Sequence, residues 1–355
     1  MSAPVAIDAR AALRVEIGGV ERVAREMAAR LPALFPGRYE VVRPRPGLAH
    51  RAGHAWEQFA LPVIARRARL IYCPANLAPL ASRRNVVLIH DVAALAHPEW
   101  YGRTYTAWQR LLLPLLARRA RLVMTVSEFA RGEIAERLGV PTERIAVVPN
   151  GVAERFRGPA DPGPARAALG LERPYVLALA TRIARKNLGA LAVAERALEA
   201  EGIELVTAGS GRGYMREGER APGRALGYVP DARLPGLYAG AAAFAMPSVY
   251  EGFGLPVLEA MAAGTPVVAA DRAALPEVCG GAALLADPDD PEAFADALLR
   301  ATGPERAQLA AAGRERAAGF TWERSARLAD AAMAGLLETP GYGAAPPHNA
   351  SNVPE

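Results

Sequence analysis

Two glutamates eight positions apart, Glu251 and Glu259, stand in the stretch SVYEGFGLPVLEAMAAGTPVV, residues 248–268. The stretch follows the apolar run AAAFAMPS, which reads as a strand. Glu251 falls where the chain turns out of that strand, and Glu259 lies within a helix beginning near Leu255 with Pro256 in its first turn. Gly252 and Gly254 let backbone approach a ligand closely, and free N–H groups at a helix N-terminus suit a phosphate or diphosphate. A carboxylate beside that anion would be repelled unless it reaches neutral hydroxyls, and a second carboxylate farther along would meet another pair of hydroxyls. Hydroxyls at both ends of a diphosphate describe a nucleotide sugar.

A matching cation is conspicuous. Lys186 is the one lysine among 42 basic residues, so every other position uses arginine. It follows the strand-like run YVLALAT by a few residues and precedes a helix near Asn187, where a compact ammonium could reach a diphosphate. His90 and Asp91 end another strand, NVVLIHD; a histidine at a strand's carboxyl end is placed for chemistry, whereas Asp91 is better suited to orient the turn. His97 reads as a loop residue. AGSGRG at 208–213 follows a strand without a complete dinucleotide fingerprint, so Gly209 is expected only to border the nucleotide. An Asp-x-Asp triplet occurs at 287–289, but Asp290 before Pro291 and Glu292 is helix-capping chemistry, and no metal is expected there.

Elements that could position these residues recur along the whole chain. Short apolar runs alternate with helical patterns, the mark of parallel sheets covered by helices. Six strands are read in each half: VAID, YEVV, LIYC, NVVLIHD, RLVMTV and IAVVPN, then YVLALAT, IELVTAG, ALGYV, AAAFAMPS, PVVAA and AALLAD. A Gly- and Pro-rich stretch at 151–170 separates them as a linker. The expected class is α/β with two doubly wound Rossmann-like domains, residues 1–157 and 158–338, whose strand ends face each other across a cleft. The last helix is free to cross back to the first domain, and 339–355 reads as a disordered tail.

Composition narrows the classes. The chain has 355 residues, 51% hydrophobic and 22% charged, as in a globular protein of about two domains. Its most apolar run, LLLPLLA at 111–117, is too short to span a bilayer, and the N-terminus lacks a signal-peptide pattern, so a cytoplasmic protein is expected. Two distant cysteines argue against a disulfide framework, and five scattered histidines show no zinc spacing. Residues 1–157 carry net charge +11 and 158–355 carry −6. The basic half suits an anionic partner, and the acidic half with no reader motif argues against nucleic acid. The mixture YTAWQRLLLPLLARRARL at 105–122 admits two readings, a core helix with a basic end or a surface resting on an anionic membrane that carries a lipid-linked acceptor.

Taken together, these segments resemble the retaining family-four glycosyltransferases of the GT-B fold, most closely a bacterial mannosyltransferase-like subgroup. The stretch at 248–268 resembles the family's E-x7-E signature. IGGVERVAREMA resembles its N-terminal glycine loop, VVLIHDVAALAHPEWY its His-Asp strand end, VSEFARGEIAERLGVPTERIAVVPNGV the close of its first domain, LATRIARKNL its phosphate-binding turn and LGYVPDARLPGLYAGA its base-holding segment. The resemblance implies that Glu251 contacts sugar hydroxyls and Glu259 the ribose. It implies that an arginine and Lys186 neutralise the leaving diphosphate, that His90 lies near the transferred sugar, and that Gly19 brings backbone near acceptor or diphosphate. Thr181, Gly209, Tyr228, Leu234, Gly252, Phe253, Gly254 and Leu255 complete the implied donor site. Many relatives carry arginine directly after the glycine of the phosphate turn where this chain has Ala180-Thr181, so either Arg182 or Arg185 could accompany Lys186.

The expectation is a hexosyltransferase that uses a nucleoside diphosphate sugar, GDP-mannose or a UDP-hexose, and a glycan or lipid-linked acceptor. Retention of configuration, with no metal or other cofactor, is what the resemblance implies. Its rivals are an isomerase or epimerase of similar build, which would convert the donor without an acceptor, and a non-catalytic nucleotide-sugar-binding protein.

Overall fold

A computed structural model describes residues 4–14, 18–45, 47, 53–158, 160–179, 183–209 and 221–338. Its contacts divide the described chain into two compact units, one drawn from 1–92, 108–151 and 322–338, the other from 93–107 and 152–321. The sequence reading placed its boundary after residue 157; the contacts divide at 151/152 and carry 93–107 with the second unit.

The first unit is built on six parallel strands: β1 (Val5–Asp8), β2 (Tyr39–Val42), β3 (Leu70–Cys73), β4 (Asn85–Leu88), β5 (Leu122–Thr125) and β6 (Ile145–Val147). Their order is β2-β1-β3-β4-β5-β6. Four of them, β1 and β3 to β5, are buried along their full length, which is why these runs are apolar without polar alternation. Helix α1 (Gly19–Leu34) packs beside the C-terminal helix Trp322–Glu338. Asp330 of that last helix accepts from Tyr39 Oη at 2.6 Å and from Arg38 Nη1 at 2.7 Å, so the chain's last helix is fastened to β2. Helical turns at 53–64, here called α2, link β2 to β3, and α3 (Arg103–Arg119) precedes β5. Helix α4 (Glu128–Leu138) begins at Ser127, whose Oγ accepts from Ala130 N at 3.0 Å, and stops at left-handed Gly139.

The second unit repeats the plan with β7 (Tyr175–Leu179), β8 (Glu204–Ala208), β9 (Arg224–Gly227), β10 (Ala243–Met246), β11 (Val267–Ala270) and β12 (Leu284–Ala286). The order β12-β11-β10-β7-β8-β9 is the doubly wound order, reversing between β7 and β10. Phe244 pairs with Leu177 at that reversal. Connections leave the two central strands toward opposite edges, and the crevice they open at the strands' carboxyl ends is where ligands bind in such sheets. Helix α5 (Gly163–Leu169) lies inside the stretch read as linker, which has no strand among its described residues. Helices α6 (Ala192–Ala200), α7 (Leu234–Ala239), α8 (Leu255–Ala263), α9 (Leu275–Cys279), α10 (Pro291–Thr302) and α11 (Arg306–Ala318) complete the unit.

Candidate active site

The crevice residues of the second unit come from the turns that follow β7 and β10. After β7 the chain makes a tight helical turn, Ala184–Lys186, closed by Asn187 in the left-handed region. Asn187 Nδ2 donates to Pro288 O at 2.9 Å, which anchors the strained residue. After β10, Val249 N donates to Arg185 O at 2.9 Å, so the two turns are tied by backbone before any side chain is considered.

Side chains close the arrangement. Lys186 Nζ donates to Glu251 Oε1 at 2.5 Å, while Arg185 Nη1 donates to Glu251 Oε2 at 3.1 Å and to Tyr250 O at 2.8 Å. All three charged side chains are largely buried, and both Glu251 oxygens face a cation. Burial alone would raise the Glu251 carboxyl; the Lys186 ammonium and Arg185 guanidinium, with the hydrogen bond from Lys186, instead hold it down at about 2. Glu251 is therefore ionised throughout the physiological range. Thr181 and Arg182 lie outside the described residues, so of the two arginines only Arg185 is placed against Glu251.

Helix α8 starts four residues beyond Glu251. Its cap, Gly254, has φ 103°, a backbone conformation that favours glycine, and a Cβ there would come within 2.7 Å of Leu275 Cδ2, so the Leu275 side chain would have to shift. No side chain caps this helix; Pro256 has no N–H, and Val257 N donates to Gly254 O at 3.0 Å. Glu259, one turn before the helix ends, is buried; its Oε2 accepts from Tyr238 Oη of α7 at 3.1 Å. Thr265 Oγ1 holds the Tyr238 carbonyl at 2.7 Å, and the Tyr238 ring meets Phe156 and Phe244 edge-on. Phe253 packs against Phe320 and Leu255 is buried, so both are core residues at the site's margin. Gly209 follows β8 with φ 141° and donates from N to Gly227 O at 2.8 Å. Tyr228 is exposed just beyond β9, and Leu234 opens α7 half-buried.

His90 and Gly19 belong to the first unit. His90 is buried just after β4, with its N donating to Asn76 Oδ1 at 2.7 Å and Nε2 2.9 Å from Pro74 O. Burial lowers the imidazole from 6.5 against the opposing pull of the Pro74 carbonyl, Asp91 and Glu21, so the ring is neutral at pH 7. A neutral ring donating from Nε2 to Pro74 leaves Nδ1 as an acceptor. Gly19 is the first residue of α1, and a Cβ there would meet nothing within 4 Å, so the chain's own packing does not demand glycine.

One side chain that holds the site escaped sequence reasoning. Tyr238 lies in the expected base-holding segment but looks like any core aromatic until its hydroxyl is seen on Glu259. For metals, among the described residues no group of three His, Cys, Asp or Glu could hold an ion. Asp287 and Asp289 both accept from Arg272, at 3.1 and 2.8 Å, and Asp290 caps α10 through Glu292 N and Ala293 N.

Comparison with known proteins agrees with this layout. A family model described as Glycosyltransferase Family 4 matches residues 17–156, and one described as Glycosyl transferases group 1 matches residues 173–303. The O-antigen chain mannosyltransferase B of Escherichia coli is 35% identical over 269 residues, covering 69% of this chain and 68% of the relative. Among solved structures, sucrose-phosphate synthase from Thermosynechococcus elongatus superposes with TM-score 0.73 at 19% identity, covering 94% of this chain and 99% of that one. Anabaena Alr3699/HepE in complex with UDP-glucose gives TM-score 0.68 at 20% identity, covering 92% and 98%. With its two doubly wound parallel sheets and an acid–base pair fixed at the switch point of the second, the chain belongs to the family-four, group 1 glycosyltransferases of GT-B fold.

Proposed function

We propose that the chain transfers a hexosyl unit from a nucleoside diphosphate sugar to a glycan or lipid-linked acceptor with retention of configuration, without a metal ion. The observation that carries this reading is the buried Lys186–Glu251–Arg185 cluster beside the uncapped start of α8. Without donor, Glu251 balances the two cations. A bound diphosphate would take over that balance and draw charge from the α8 N-terminus, which frees the Glu251 carboxylate for sugar hydroxyls. Glu259, steadied by Tyr238, is assigned the ribose hydroxyls.

The chemistry follows from those charges. The bond between the anomeric carbon and the leaving diphosphate oxygen breaks with its electron pair going to the oxygen, and Lys186 and Arg185 stabilise the charge that develops. The acceptor hydroxyl oxygen attacks the anomeric carbon from the face the diphosphate leaves, and its proton passes to a diphosphate oxygen. Double displacement would require a carboxylate free to reach that carbon. Glu251 is a poor nucleophile for that role, because both oxygens are engaged by cations and its proton affinity is low. His90, neutral and with Nδ1 as acceptor, is assigned a hydroxyl of the transferred sugar. Charge compensation by an ammonium and a guanidinium fills the part a divalent ion plays on a diphosphate elsewhere.

Relatives named for mannosyl transfer favour mannose as the transferred sugar, and the donor panel therefore holds GDP-mannose beside UDP-hexoses. The test is release of nucleoside diphosphate from each donor with saccharide and lipid-linked acceptors, with and without chelator, and the anomeric configuration of the product. An axial donor linkage should give an axial product at the same rate in chelator. Inversion, loss of activity in chelator, or conversion of donor without an acceptor would each refute the corresponding part of the proposal.

A further inference from the structure

Among the described residues, three other than glycine have a left-handed backbone: Asn76 at φ 63°, Asn187 at φ 49° and Ala273 at φ 55°. They lie in the turns that follow β3, β7 and β11, and in that order they border His90, Lys186 and Glu251. Asn187 closes the turn of Lys186, and Ala273 precedes Ala274, whose N donates to Glu251 O at 3.3 Å. Backbone strain of this kind survives where the surrounding structure enforces it, and it gathers at sites of function. Asn76 is the one that belongs to the first unit, and its partner is His90.

Pairing of β3 with β4 ends at Cys73 and Val87, and the next residue, Pro74, has no N–H to continue the ladder. The chain turns back: Asn76 N donates to Leu88 O at 3.0 Å, and the side-chain Oδ1 of the same residue accepts from His90 N at 2.7 Å. His90 Nε2 lies 2.9 Å from Pro74 O, so the tripeptide Pro74–Asn76 holds His90 by both its main chain and its ring. Glycine would take up the left-handed turn at no steric cost and would still supply the N–H to Leu88, but it has no oxygen for His90. Asparagine tolerates this backbone better than most residues that carry a side chain, and its short amide reaches neighbouring main chain. What the strained position gains over glycine is therefore the bond to His90.

We propose that Asn76 is a positioning residue for transfer: its amide oxygen fixes the main chain of His90, so that the ring keeps its bond to Pro74 O and presents Nδ1 to the transferred sugar. Asn76 acts through His90, so its role rests on the assignment of His90 to that sugar; Lys186, Arg185 and Glu251 take no part in it.

The test is a double-variant cycle read by transfer kinetics and by the carbon-bound proton resonances of the His90 ring. Asn76→Gly removes the oxygen and keeps the turn, so the chain should melt close to wild type while the ring resonances shift, kcat falls roughly tenfold from loosened alignment, and affinity for free GDP or UDP is unchanged. Asn76→Ala keeps the strain and loses the oxygen, so it should melt below Asn76→Gly with the same kcat. In the His90→Asn background Asn76→Gly should bring no further loss, because an effect carried through the ring has nothing left to act on. Asn76→Asp restores an acceptor and adds a negative charge, so it should recover most of kcat and move the His90 titration to higher pH; Asp91 and Glu21, the other charges about the ring, stay in place. An equal loss from Asn76→Gly in both backgrounds, or kcat and ring resonances that both stay at wild-type values in Asn76→Gly, overturns the proposal. His90→Asn at the wild-type rate removes the role in transfer as well, and the ring then separates the two failures: resonances shifted by Asn76→Gly mean that the His90 assignment was at fault, and unshifted ones that Asn76 does not hold the histidine.

Discussion

Lys186 Nζ and Glu251 Oε1 lie 2.5 Å apart although 65 positions separate them in the chain. One stands after β7 and the other after β10, the two strands between which the sheet order reverses. The chain's single lysine thus meets its key carboxylate in a site about one-tenth exposed, where a compact ammonium and a planar guanidinium are not equivalent. Lys186→Ala is expected to lower kcat by ~10²-fold or more, as loss of other electrostatic stabilisers does. Lys186→Arg should restore only part of that loss, since its fork occupies a different position. Steady-state kinetics of both variants, with melting curves to confirm folding, checks the pair.

The pH dependence of stability follows from the direction of the Glu251 shift. Its carboxyl is held at about 2 in the folded chain against 4.5 ordinarily, so the unfolded state binds the proton first. The stabilisation is complete above pH 4.5 and is lost as pH falls toward 2. Its size is roughly 3 kcal/mol by linkage. Urea unfolding from pH 6 down to pH 3 should show a shallower decline for Glu251→Gln than for wild type; parallel curves would mean the ion pair contributes nothing.

His90 gives the opposite kind of group with the same sign. Burial depresses its pKa below 6.5, so its contribution is present above 6.5 and lost as pH falls through the lower folded value. Carbon-bound proton resonances of His90 should titrate below pH 6.5, and kcat/KM should fall on the same limb if the neutral ring is the active form. His90→Asn should flatten that limb while lowering the plateau.

Tyr238→Phe removes one hydroxyl and leaves the ring packing against Phe156 and Phe244 in place. Glu259 loses its 3.1 Å donor. Stability should drop by about 1 kcal/mol, and donor KM should rise roughly fivefold with kcat little changed, since a hydrogen bond of this kind is worth about 1 kcal/mol. A change in kcat with KM constant would separate Glu259 from ground-state donor binding.

Gly254→Ala tests the turn that launches α8. The backbone there is left-handed and Leu275 Cδ2 lies where the new methyl would go. A loss of about 1–3 kcal/mol in urea unfolding is expected from strain of this kind.

Much of the fold is legible in the sequence because parallel strands buried on both faces leave unbroken apolar runs. LIYC, LVMT and VVAA stand out on composition alone, and each of the twelve runs contains or overlaps a strand. Their ends were overextended: in NVVLIHD the strand runs Asn85–Leu88, Ile89 N still donates to Met124 O at 2.9 Å, and His90 N then turns to Asn76 Oδ1. Glu251, Glu259 and Lys186 were legible from residue type beside glycines and strand ends. The grip of Lys186 on Glu251 was not, since nothing local in either segment records the strand order that brings them together. Tyr238 was hidden for a different reason: a buried hydroxyl is written into the sequence no differently from an idle one. The segment 93–107 shows the same limit. His97, read as a loop residue, stacks on Trp100 at 3.9 Å, and both rings meet Tyr250 edge-on, a placement that no pattern in its own stretch implies.

Calorimetric titration of free GDP and UDP into wild type and Lys186→Ala tests most directly whether the cations at the switch point hold a nucleotide diphosphate. Wild type should bind at least one of the two, and the variant should bind it at least about tenfold more weakly, in keeping with removal of a charge-assisted hydrogen bond worth about 1.5–3 kcal/mol. Equal affinity in the two proteins, with both folded, would place the diphosphate elsewhere.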